Sequence, residues 1–171
     1  AEKWIEKCEK SAQVQGEKGE GGIEMTPQNL TISSPTNGDC LRACVASLLD
    51  MDIKKVPNFV ANGRGDNGKW FSHPKRGLNM FLWNHGYEYF GYSPAIEAVR
   101  DCAGIDGYFI GVVDSVNFKG STHAVIFKGL ELVHDPSPLK AWAGTGKQAR
   151  GYYLIRKREK EDEQTSNKKE V

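Results

Sequence analysis

The 171-residue sequence lacks three features that would point to a membrane, a nucleic acid or a metal. No apolar run approaches the roughly 18 residues that span a bilayer, and the charged start Ala1-Glu2-Lys3-Trp4 is not typical of a signal peptide. Lysine and arginine number 23 against 22 acidic residues, so the net charge of +1 creates no field that attracts nucleic acid. No CxxC pair or HExxH motif provides zinc ligands. We therefore expect a cytoplasmic protein with no metal, no cofactor, no nucleic-acid partner and no membrane span.

Cysteine is too sparse to indicate a disulfide framework. The four cysteines are Cys8, Cys40, Cys44 and Cys102, and only two of them lie close together in the sequence. Cys40 and Cys44 are one helical turn apart, which is an awkward geometry for a bridge between them. We therefore expect free thiols.

Length and composition predict one folded domain. A chain of 171 residues with 39% hydrophobic content can bury one good core. Residues 1–24 are polar and rich in glycine, which is typical of a leader or linker. Residues 156–171 mix charges of both signs with almost nothing apolar, which predicts a solvated tail. The folded domain is therefore predicted over residues 25–155.

The first half of this domain has the spacing of helices. Apolar residues recur at i, i+3, i+4, i+7 and i+8 after Cys40, namely at Leu41, Cys44, Val45, Leu48 and Leu49. A short helical turn follows and is stopped by Pro57. A second helix around Leu78 is expected to end at Gly86, and a third to run from Ser93 to Gly104.

The second half changes to the spacing of strands. Buried or half-buried strands are predicted over residues 107–113, 123–127, 130–134 and 152–155. Lys128-Gly129 is a tight connection, so the second and third of these strands should form an antiparallel hairpin. The fold class predicted is α+β, with N-terminal helices packed on a C-terminal antiparallel sheet.

Cys40 lies in the first turn of the first predicted helix. Unpaired backbone N–H groups and the positive end of the helix dipole stabilise an anion at that position, and the thiolate is the nucleophilic form of cysteine. Cys44 lies on the apolar stripe instead and is predicted to be a core residue. Cys40 is therefore the candidate nucleophile.

His123 and Asp135 are candidate partners of that thiol. His123 opens an apolar strand, and alternation along the next strand places Asp135 on the side that can face it. The same alternation directs His134 away, so we expect His134 at the surface. Asp135-Pro136 is also a common turn, which is the alternative interpretation of this carboxylate. The remaining histidines have other contexts, because His73 precedes proline in a loop and His85 ends a helix.

These elements resemble a papain-like cysteine peptidase, and within that superfamily the C39 and C39-like peptidases. The resemblance is carried by Asp39-Cys40 leading an alanine-rich helix, by His123-Ala124-Val125, and by His134-Asp135-Pro136, and it spans roughly residues 28–155. It implies that Cys40 is the nucleophile, His123 the general base and later the acid, and Asp135 the residue that orients the imidazole.

The sequence departs from this family where the oxyanion hole is expected. Members usually carry a glutamine about six residues before the cysteine, whereas this chain has Ser34 there. The Cys40 N–H is a natural first donor, and the side chain of Asn37 or Gln28 could be the second. Asn37 is equally well explained as a turn residue before Gly38.

Two tryptophans are predicted to flank the site. Trp70 follows a glycine-rich loop, and Trp142 lies in a long segment after Asp135 of the kind that can wall a cleft. The resemblance implies that a tryptophan such as Trp142 shields the histidine and its carboxylate. C39 peptidases cut after Gly-Gly, but a flexible linker explains Gly21-Gly22 better than self-processing does.

The sequence thus predicts acyl transfer through a thioester, with hydrolysis of a peptide or isopeptide bond as the leading reaction. The same three residues would also support amidase, deamidase or transglutaminase chemistry. A catalytically silent C39-like module that binds peptides is a further alternative. A peptide or protein is the expected partner, and the oligomeric state is left open.

Overall fold

The computed structural model describes residues 25–60, 74–93, 108–139, 144 and 149–158. Within these ranges the chain forms two α-helices, α1 (Cys40–Leu48) and α2 (Pro74–Asn84), and a short 3-10 helix (Ile53–Lys55). Five strands follow α2, namely β1 (Tyr87–Ser93), β2 (Tyr108–Asp114), β3 (Thr122–Lys128), β4 (Glu131–His134) and β5 (Gly151–Lys157). They form one antiparallel sheet in the order β1-β5-β2-β3-β4. The predicted α+β class is confirmed.

The hydrophobic core lies between the helices and one face of the sheet. Helix α1 buries most of its surface, and Val45 and Leu48 are at most 1% exposed. They belong to one apolar cluster with Ala124 and Ile126 of β3. Burying a side chain of this size stabilises the fold by about 1.5–3 kcal/mol. This packing fixes the start of α1 against the start of β3.

The opposite face of the sheet is also buried at its centre. The Phe109 and Phe127 rings stack with centroids 5.5 Å apart, and Phe109 meets Tyr152 edge-on at 5.3 Å. Gly111 makes room for this cluster, because a Cβ atom there would lie 2.3 Å from the Phe127 ring. Strands β2 and β3 are therefore packed on both of their faces.

Several predicted elements are confirmed. The hairpin of β3 and β4 turns at Gly129, which has a positive φ of 60°, and α2 is followed by Gly86 with a φ of 78°. The predicted short turn is the 3-10 helix, and its N-cap Asp52 accepts the Lys54 N–H at 2.9 Å.

Other elements differ from the predictions. Strand β1 was not predicted, and Ser93 ends it rather than beginning a helix. Strand β5 runs to Lys157, so the first residues assigned to the solvated tail instead pair with β1. The rest of the predicted third helix, the leader over residues 1–24 and residues 159–171 lie outside the described residues.

Within the part of the chain that the structure describes, no helix combines the length and apolarity needed to cross a membrane.

Candidate functional site

Cys40 is the first residue of α1, as the sequence predicts. The first helical hydrogen bond runs from the Ala43 N–H to the Asp39 carbonyl at 2.9 Å. The N–H groups of the preceding first-turn residues therefore have no partner within the helix. Cys40 is only partly buried. Its thiol thus lies beside a positive helix end, in a position that solvent reaches.

A backbone N–H of the sheet also contacts this thiol. The Ala124 N–H donates to Cys40 Sγ at 3.4 Å. Ala124 pairs with Val112 of β2, but the Val112 carbonyl accepts the Arg150 N–H at 2.7 Å on the other side of that strand. The N–H and C=O of one strand residue point to the same side of the strand, so the polar groups of Val112 point away from β3. Val112 and Ala124 therefore form a pair without hydrogen bonds between them. The Ala124 N–H accordingly points to the other side of β3, toward β4. Pairing with β4 begins only at Ile126, so this N–H is available to the sulfur.

The contact predicted between His123 and Asp135 is present. The His123 Nε2 lies 2.6 Å from Asp135 Oδ1, and the two side chains are 14% and 4% exposed. The Ser137 N–H also donates to Asp135 Oδ1, at 2.8 Å. The carboxylate therefore both orients the imidazole and begins the turn, so the two interpretations of Asp135 describe one arrangement.

The environment of His123 favours its cationic form. Burial alone would lower the pKa of this imidazole, but the hydrogen bonds to Asp135 and Cys40 and the charges of both partners raise it from 6.5 to about 9. Since Asp135 takes Nε2, the nitrogen that remains for Cys40 is Nδ1. The carboxylate thus holds the imidazole, which lies near enough to the thiol for Cys40 to raise its pKa.

The second cysteine of α1 has a different environment. Cys44 is completely buried. Burial, followed by the nearby Cys40 and Asp135, raises the pKa of its thiol well above the ordinary value. A neutral, inaccessible thiol of this kind is inert. The sequence-based distinction between the two cysteines is therefore confirmed in their burial.

Cys40 and His123 open into a cleft of about 340 Å³. It is lined by the loop that carries Ser34, Pro35 and Gly38, and by the start of β3 with the turn that precedes it. The remaining lining residues are Leu41, Val60, Val112, Ala124 and Tyr153. Among the lining residues that the structure describes, there is no carboxylate, lysine or arginine. Apart from Cys40 and His123, the described walls of the cleft therefore carry no side chain that is charged at pH 7.

The structure does not bring either predicted second oxyanion donor into this lining. Gln28 binds through its backbone, with its N–H donating to Ser47 Oγ at 2.8 Å and its carbonyl 2.8 Å from His134 Nε2. Asn37 is exposed, and its carbonyl accepts the Asn58 Nδ2 at 3.1 Å. Ser34 does line the cleft, at the sequence position where the resemblance implies a glutamine.

The prediction that His134 lies at the surface is wrong. His134 is 8% exposed, because the segment that precedes α1 covers it. Two contacts hold this segment in place. The Gln28 carbonyl contacts His134 Nε2, and the Leu30 N–H donates to the Pro136 carbonyl at 2.9 Å. His85 is at the end of α2 as predicted, where its Nδ1 contacts the Phe81 carbonyl at 2.8 Å.

The remaining predicted residues, His73, Trp70 and Trp142, lie outside the described residues. Within the described ranges, no group of three or more His, Cys, Asp or Glu side chains could hold a metal ion. Comparison of the chain with family models, curated proteins and solved structures finds no match.

Proposed function

We propose that this chain is a papain-like cysteine peptidase, similar to the C39 and C39-like group, that hydrolyses a peptide or isopeptide bond. The observation that carries the proposal is the position of the imidazole: His123 is 2.6 Å from Asp135, lines the same cleft as Cys40, and lies near enough to that thiol for Cys40 to raise its pKa. A nucleophile at the start of a helix, packed on an antiparallel sheet that carries its base and orienting group, supports the papain-like part of the proposal.

In the first step, the Cys40 thiolate attacks the carbonyl carbon of the bound peptide. A carbon–sulfur bond forms, and the electron pair of the carbonyl π bond moves to oxygen. The N–H groups at the start of α1 lie on the same side of the cleft as Cys40 and would bind this oxyanion.

In the second step, His123 Nδ1 gives its proton to the leaving amine as the carbon–nitrogen bond breaks. The raised pKa of about 9 supports this role, because it keeps the imidazole protonated at neutral pH. The neutral imidazole then takes a proton from water as the water oxygen attacks the thioester carbon. The carbon–sulfur bond breaks, which releases the acid and restores the Cys40 thiolate beside the protonated imidazole. Asp135 holds Nε2 throughout, so that Nδ1 remains directed at the reacting atoms.

The chemistry of the cleft determines which probes to use. The wall formed by Leu41, Val60 and Val112 disfavours charged side chains next to the scissile bond, because the described lining residues other than Cys40 and His123 offer no charge to neutralise them. A library of internally quenched peptides with small uncharged residues at the cleavage point is therefore the appropriate assay.

The test compares wild type, Cys40→Ser and Cys44→Ala on this library. We expect wild type to cleave a subset of peptides, Cys40→Ser to lose at least about 10³-fold in kcat/KM, and Cys44→Ala to retain activity. In the wild-type protein, the thioester between Cys40 and the acyl part of the cleaved peptide should appear as an adduct in the intact mass. Equal cleavage by Cys40→Ser would overturn the proposal, and peptide binding without cleavage or adduct would favour the silent module instead.

A further inference from the structure

Asp39 directly precedes the proposed nucleophile, and its side chain is completely buried. Oδ1 accepts the N–H groups of Thr31 and Ile32, both at 2.9 Å, and Oδ2 accepts the Thr31 hydroxyl at 2.6 Å. The Arg42 guanidinium lies 3.7 Å from Oδ2. Every one of these contacts except that with Arg42 joins the carboxylate to the segment before the helix.

This arrangement is unusual for an aspartate at the N-cap of a helix. An N-cap carboxylate ordinarily accepts the N–H of the second or third helical residue, and this stabilises the helix by about 1 kcal/mol. The Asp39 side chain makes no such bond. Its oxygens bind Thr31 and Ile32 instead. The Asp39 side chain therefore accepts no hydrogen bond from the first-turn N–H groups beside Cys40.

The same contacts fix one wall of the cleft. The Asp39 N–H also donates to the Ile32 carbonyl at 3.2 Å, which closes the loop between these residues. This loop carries the cleft residues Ser34, Pro35 and Gly38. It closes tightly, because a Cβ atom on Gly38 would lie 2.5 Å from the Ser34 carbonyl oxygen. One carboxylate therefore holds both the cleft wall and the start of α1.

We propose that Asp39 is a positioning residue for the reaction, an inference that rests on the proposed peptidase function. By binding Thr31 and Ile32, its carboxylate stays away from the helix end and leaves the first-turn N–H groups free for the oxyanion. Removal of the Thr31 hydroxyl leaves Oδ2 with only the longer contact to Arg42, so that this oxygen can turn toward those N–H groups and compete with the oxyanion. This role is distinct from that of a helix cap, which would occupy the same groups.

The test uses Asp39→Asn and Thr31→Val, with Thr31→Ser as the conservative variant. Asp52→Asn is the matched control, since Asp52 is an exposed carboxylate that caps the 3-10 helix and does not line the cleft. Three quantities are measured: kcat and KM on a cleaved peptide, the affinity for acetamidoacetaldehyde, and the rate at which iodoacetamide alkylates Cys40. The aldehyde carbon bonds to Sγ and its oxygen takes the oxyanion position, whereas alkylation at a saturated carbon creates no oxyanion.

In Asp39→Asn and Thr31→Val, kcat and the aldehyde affinity should each fall about tenfold or more. KM and the alkylation rate should stay within about twofold of wild type, as should every quantity in Thr31→Ser and Asp52→Asn. Alkylation that falls in step with kcat would show a merely structural role, and an unchanged aldehyde affinity in both variants would equally overturn the inference. Thr31→Val alters an exposed residue, so it gives the same comparison if Asp39→Asn does not fold. A wild-type protein that neither cleaves peptides nor binds the aldehyde would overturn the proposed function itself.

Discussion

Replacing Asp135 with asparagine should remove a pH-dependent part of the stability of this fold. The variant keeps an oxygen that can accept the Ser137 N–H but loses the charge beside His123. Burial then dominates, so the pKa of His123 should fall from about 9. Asp114→Asn is the matched control, because Asp114 pairs with Arg150 where both side chains are more than 60% exposed.

The magnitude follows from the pKa of His123. A value raised from 6.5 to about 9, at about 1.4 kcal/mol per pKa unit, corresponds to at most about 3–4 kcal/mol. Because the folded-state pKa is the higher one, this stability is fully present below pH 6.5 and is lost as the pH rises through about 9. Since Cys40 contributes part of the shift, Asp135→Asn should lose about 1–3 kcal/mol at pH 6 and little at pH 9.5.

Urea unfolding at pH 6 and at pH 9.5 measures the free energy of unfolding for wild type, Asp135→Asn and Asp114→Asn. Lysines and tyrosines also titrate at alkaline pH, so the informative quantity is the difference between each variant and wild type at each pH. NMR titration of the His123 ring protons gives its pKa directly. Equal destabilisation by Asp135→Asn at both pH values, or a wild-type His123 that titrates near 6.5, would refute the reasoning.

Three further predictions follow from the site and its supports. The alkaline limb of kcat/KM should have an apparent pKa near 9, the value to which its partners raise the pKa of His123, and a pH–rate profile that stays flat through pH 10 would contradict the role of His123 as the acid. Gly111→Ala should cost about 1–3 kcal/mol in urea unfolding, because the added methyl group overlaps the Phe127 ring, and an unchanged unfolding midpoint would show that the ring moves freely. His134→Leu should cost about 1–3 kcal/mol through the unpaired Gln28 carbonyl while leaving alkylation of Cys40 unchanged, and slower alkylation would mean that the covering segment also controls the site.

Local periodicity was sufficient to predict the parts of the site that come from single elements. The apolar stripe that begins after Cys40 placed this residue at a helix start, and alternation along β4 turned Asp135 toward His123. Lys128-Gly129 predicted the hairpin that brings them together, because glycine adopts the positive φ this turn needs.

Features that depend on distant segments could not be predicted in this way. The burial of His134 comes from Gln28, which is remote in sequence, so alternation alone left that side chain at the surface. Strand β1 is an edge strand whose pairing with β5 is interrupted by a bulge between Tyr89 and Gly91, which breaks the period of two. The role of Asp39 was equally hidden, because its type and position fit an ordinary helix cap.

Selective alkylation tests the proposed Cys40–His123 pair most directly. The protein is treated with limiting iodoacetamide near pH 6, the labelled cysteine is mapped by mass spectrometry, and the experiment is repeated with His123→Ala. We predict preferential labelling of Cys40 over Cys44 and the other two cysteines, and loss of that preference in the variant. Equal labelling of Cys8, Cys40 and Cys102, or labelling of Cys40 that does not depend on His123, would contradict an ion-paired nucleophile at this site.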